Sequence, residues 1–104
     1  MILVNTPTIE GNEIKECLGI VKGEIVQSKN VGRDILAGLK TIVGGEIAGY
    51  TDMIRKARQT AIQRMIAEAE KLGADAIVNV KFGSSSVMQG AAEIIAYGTA
   101  VKLK

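Results

Sequence analysis

Histidine and tryptophan are absent from this sequence, there is one cysteine and one proline, and the aromatic residues number three: Tyr50, Phe82 and Tyr97. Without histidine no Ser-His or Cys-His nucleophile pair can be built. General acid–base work would fall to Asp34, Asp52, Glu93, Tyr50 or Tyr97, and no spacing among them singles out a pair. The expectation is a protein that is not an enzyme, unless an active site assembled between subunits leaves no local motif. Cys17 alone excludes an internal disulfide, and it leaves a soft metal, which takes thiolate or imidazole ligands in sets, short of donors. No apolar run approaches the roughly 20 residues of a membrane helix. The start, MILVNTPTIEG, lacks the basic and long apolar regions of a signal peptide. A net charge of +2 creates no strong field for nucleic acid or an acidic membrane. The expected setting is the cytoplasm, with neither nucleic acid nor membrane as partner.

What is present is a small aliphatic domain. Its 104 residues make one unit, 1–104, and 47% of them are hydrophobic, so the core must be built from Ile, Val, Leu, Ala and Met. A mean hydropathy of +0.21 is high for a small monomer and argues for further burial between subunits. Residues 32 to 51, GRDILAGLKTIVGGEIAGYT, hold five glycines, including the pair Gly44-Gly45. Such a segment makes tight turns, packs closely or approaches a ligand.

Periodicity supplies the elements. Met1 to Val4 reads as a short strand, and residues 13 to 28 as a strand pair or one long bent strand. Residues 33 to 43 have the spacing of a short helix ended by Gly44-Gly45. A long helix follows from Glu46 to Leu72, with Ile47, Tyr50, Ile54, Ala57, Ala61, Met65, Ala69 and Leu72 forming one stripe. Gly73 is its natural stop. Residues 75 to 82 read as a strand with Ala76, Val78, Val80 and Phe82 on one face. A connection of residues 83 to 90 leads to a last strand, 93 to 104, with Ile95, Tyr97, Thr99, Val101 and Leu103 on one face. The order gives an α+β fold of two layers: a mostly antiparallel sheet with one long and one short helix on one face. Its open edges call for a partner, which a ring of subunits would supply.

The pieces TPTIEG, GRDILAGLKTIVGGEIAGYT, LGADAIVNVKF and AYGTAVKL, in this order along nearly the whole chain, resemble the YbjQ-like family, which carries the label of a heavy-metal-binding domain. The resemblance implies a dodecin-like α+β subunit that assembles as a homopentamer with the help of short additional strands. It brings no catalytic residues with it.

Candidate sites are few. Gly44, Gly45 and Glu46 ahead of a helix would leave backbone N–H groups at a positive helix end, fit for a small anionic ligand, with Arg33 and Lys40 adding charge and Asp34 close by. Glu46 could fill that site itself, and Asp34 next to Arg33 also reads as a local ion pair or a helix-start residue. No P-loop or dinucleotide fingerprint is present. Cys17 is a metal candidate only if copies meet around a ring axis, and as a lone thiol it reads first as a packed side chain. Glu10, Glu13 and Glu16 lack a calcium-loop pattern. Arg55, Lys56, Arg58 and Arg64 are interrupted by Asp52, Glu68 and Glu70 and read as a solvated helix face, with Asp52 set to pair with Lys56. The functional expectation is a cytoplasmic, pentameric protein with a ligand-binding or scaffolding role at subunit interfaces. A metal-binding or metal-responsive protein using Cys17 is the alternative, and an enzyme with an interface site is the third.

Overall fold

The long apolar stripe forms one face of helix α1 (Tyr50–Lys71) in a computed structural model that describes residues 1–27, 42–43, 46–47, 50–88 and 91–104. Ala57, Ala61, Met65 and Ala69 are each at most 1% exposed, one helical turn apart. The helix ends in a Schellman motif: the Ala74 N–H donates to the Ala69 carbonyl at 3.1 Å and the Gly73 N–H to the Glu70 carbonyl at 3.0 Å. Gly73 takes a φ of 76°, which an L side chain resists. Leu72, expected in the stripe, lies just past the last helical residue, Lys71, and is exposed.

The sheet contains β1 (Ile2–Leu3), β2 (Ile14–Gln27), β5 (Ala76–Met88) and β6 (Ala91–Leu103) in the order β1-β5-β6-β2. The β5–β6 and β6–β2 pairs are antiparallel and β1–β5 is parallel. β5 and β6 form a hairpin whose strands run further than expected, with Met88 paired to Ala91. Ser84, Ser85 and Ser86, read from sequence as a connection, belong to β5. Exposed on both sides, this part of the ribbon accommodates polar residues that a half-buried strand would not.

Two expected boundaries are corrected. Glu46–Ile47 form strand β4, paired with β3 (Ile42–Val43), so the long helix begins at Tyr50 and not at Glu46. The expected short helix over 33–43 loses its end to β3, and the rest of it lies outside the described residues.

The helix packs on one sheet face, where Val21, Ile77, Ile94, Ala96 and Ala100 are buried against it. On β6 the expected alternation is present: Ile95, Tyr97, Thr99, Val101 and Leu103 lie on one face, and the helix rests on the smaller set between them, Ile94, Ala96 and Ala100. Small residues there let two backbones come close. Val101 joins Ala76 and Val78 in a second cluster on the other face, under Val4, Ile9, Ile14 and Leu103. On β5 the expected single face is broken by an irregularity between Val78 and Lys81, where Asn79 takes a φ of 53°. Past it Val80 joins the helix-side core, although Val78 does not.

Candidate functional site

The sequence-derived anion site is not assembled at a helix start. Arg33, Asp34, Lys40, Gly44 and Gly45 lie outside the described residues, and Glu46 is in β4, four residues before the first residue of α1. Cys17 departs from its expected packing: it sits on edge strand β2, opposite Val101, and is exposed. Asp52 pairs with Arg55 at 3.3 Å rather than with Lys56, and Glu13 pairs with Lys104 at 3.1 Å. Arg55, Lys56, Arg58 and Arg64 are exposed.

Two surfaces take shape that no motif announced. The first is the sheet face away from the helix. Register places Tyr97 of β6 between Lys22 of β2 and Lys81 of β5, all three exposed. One step along, Thr99 lies between Ile20 and Val78. Cross-strand neighbours on one face are about 5 Å apart, so two lysines flank one tyrosine in the row. Among the described residues, Val4 and Ile9 cover the Val78 end of this face. Ile20 stays 80% exposed.

The second is a groove of about 760 Å³ between β2 and the C-terminal half of α1, lined by Ile20, Gly23, Arg64, Glu68 and Leu72 among others. The floor of this groove is tight. The Arg64 guanidinium donates to the Glu24 carbonyl at 2.6 Å, tying helix to strand. Lys71 and Glu68 pair at 3.3 Å on its rim.

A heavy-metal centre does not fit one subunit as described. It needs several soft donors, the sequence has no histidine and one cysteine, and no group of three Cys, Asp or Glu residues gathers among the described residues. Among those residues, no helix is long and apolar enough to cross a membrane. Neither surface was legible beforehand, because Lys22, Tyr97 and Lys81 meet only through strand register, and 75 residues separate the first two from each other along the chain.

Residues 1–104 match the YbjQ family model, described as "Putative heavy-metal-binding". Among curated proteins, the chain is 65% identical to a UPF0145 protein of Pseudothermotoga lettingae over 100% of this chain and 98% of that one. It is 64% identical to a UPF0145 protein of Thermosipho africanus, over 100% and 96%, and 62% identical to one of Photobacterium profundum, over 99% and 100%. Among solved structures it is similar to a protein of unknown function of the DUF74 family from Pediococcus pentosaceus. The TM-score is 0.65 at 18% identity, covering 100% of this chain and 98% of that one, which bears on the fold.

Proposed function

The chain belongs to the YbjQ family, and from that premise we propose that it is a homo-oligomeric binding protein, pentameric, whose ligand site lies where subunits meet. The observation that carries the reading is the sheet face away from α1, which the described residues leave uncovered over most of its length although Ile20, Tyr97 and Ile95 lie on it. A small domain gains stability by burying such a face, at roughly 25 cal/mol per Å² of apolar surface, and a second copy is the partner always at hand. The chain's shape supports this. Its radius of gyration is 16.6 Å, against about 13 Å for a compact domain of this length.

The ligand class that suits the face is a small anion. Lys22 and Lys81 on either side of Tyr97 supply two cationic donors and a hydroxyl. Closing subunits over them would strengthen their pull by removing water. Arg33 and Lys40 are further cations from the segment that the sequence singled out. Native mass spectrometry of protein purified gently tests both halves: a pentamer with retained mass is expected, and Lys22→Ala with Lys81→Ala should release that mass without changing subunit number. A monomer contradicts the reading.

Exposure of Cys17 favours a second reading in which several copies present their thiolates to one soft metal. Titration with zinc, copper and cadmium against Cys17→Ser separates the two, since equal binding by both proteins removes Cys17.

A further inference from the structure

Of the large apolar side chains exposed among the described residues, Met1, Ile2 and Tyr97 stand apart and the others lie in two places. Phe82, Val87 and Met88, at 51%, 51% and 67%, lie on the outer stretch of β5. Val26 is 53% exposed and sits at the same end of the sheet on β2, opposite Glu93, which in turn pairs with Ser85. At the other place, Ile20 and Leu72, 80% and 46% exposed, border the groove between β2 and α1.

Both places also carry strand backbone without a partner among the described residues. The N-terminal segment engages β5 only as far as Val80, whose N–H donates to the Val4 carbonyl at 3.0 Å. Beyond it the outer edge of β5 is open. β2 is the terminal strand of the sheet, so its outer edge is open as well. An exposed strand edge of this length is a template for another strand.

We infer that these two surfaces are the two halves of one contact, in which the outer stretch of β5 from one copy seats on the β2 edge and groove of the next. The inference rests on the homo-oligomer reading and names a further contact of that assembly, beside the sheet face that carries Tyr97. Three features select a second copy of this chain as the occupant. Every residue from Gly83 to Gly90 is uncharged, so the incoming strand sets no like charge against Lys22, Glu24, Arg64 or Glu68. Phe82, Val87 and Met88 bring apolar surface to a groove whose rim is Ile20 and Leu72. The two surfaces share no residue, so each copy can use both at once. Such a contact is head-to-tail, and head-to-tail contacts generate rings when the rotation closes. A two-fold pairing of β2 with β2 would leave the β5 surface bare.

Disulfide trapping in a Cys17→Ser background tests this. Leu72→Cys and Met88→Cys, both at exposed positions, are made separately and together, with Ile20→Cys and Val87→Cys as a second pair. Sedimentation first establishes the subunit number of each. After mild oxidation, mixed Leu72→Cys and Met88→Cys proteins should give a covalent dimer that neither gives alone. The double variant should give a ladder of covalent multimers ending at the ring size. An intact oligomer in which neither pair cross-links overturns the inference, because another surface, such as residues 28–49 of the chain, then makes the contact. Dimers from Leu72→Cys or Ile20→Cys alone overturn it in favour of two-fold pairing. A monomer overturns the homo-oligomer reading itself.

Discussion

Gly23 of β2 lies directly against the backbone of Ala61 in α1: a Cβ at position 23 would fall on the Ala61 carbonyl oxygen and the Met65 nitrogen, and within 2.8 Å of the Arg64 Cβ. This approach sets the distance between helix and sheet, and it is the floor on which the groove rests. Gly23→Ala therefore forces the two layers apart. The expected cost is about 3 kcal/mol, the upper end for overpacking a well-filled core, read as a lower midpoint in urea. An unchanged midpoint would mean that the layers are free to slide.

Met65 is fully buried in the same layer, and no polar side chain is buried among the described residues. Met65→Asp places a charge there without a partner, which a core of this kind does not accommodate. Loss of soluble expression or of helical circular dichroism is expected. Met65→Ala leaves a cavity, and it should fold with a loss of about 3 kcal/mol.

Asn79 holds a φ of 53° at the irregularity in β5. The left-handed region costs a residue with a Cβ about 1 kcal/mol, and asparagine tolerates it better than most. Asn79→Ala should lose about 1 kcal/mol, and Asn79→Gly should stay within about 0.5 kcal/mol of the parent. Equal losses in both variants would show that the side chain and not the backbone matters there.

Cys17 is exposed and partners no other side chain among the described residues. Cys17→Ser should leave stability within about 0.5 kcal/mol. A larger loss on dilution-sensitive melting would place the thiol in a contact between copies.

The helix was readable because its stripe repeats every three or four residues over six turns, and Gly73 supplies a stop with one conformation. The sheet was readable as to its strands and less so as to its faces. The alternation on β6 separated Ile95, Tyr97 and Val101 from Ala96 and Ala100, but both sides are apolar and periodicity alone does not say which one meets the helix. The helix meets the side with Ala96 and Ala100, where Ala57, Ala61 and Ala69 bring its backbone close to the strand. Phe82 was placed with Val78 because a one-residue irregularity at Asn79 changes the phase of a strand without leaving a composition signal. The row Lys22, Tyr97 and Lys81 exists only once register is known. Local sequence carries no information on it.

The account stands most directly on assembly, which native mass spectrometry reads in one spectrum. The account predicts a pentamer that carries extra mass, with that mass lost when Lys22 and Lys81 are both replaced by alanine. A monomer at micromolar concentration, with Ile20 and Tyr97 left facing water, would contradict it.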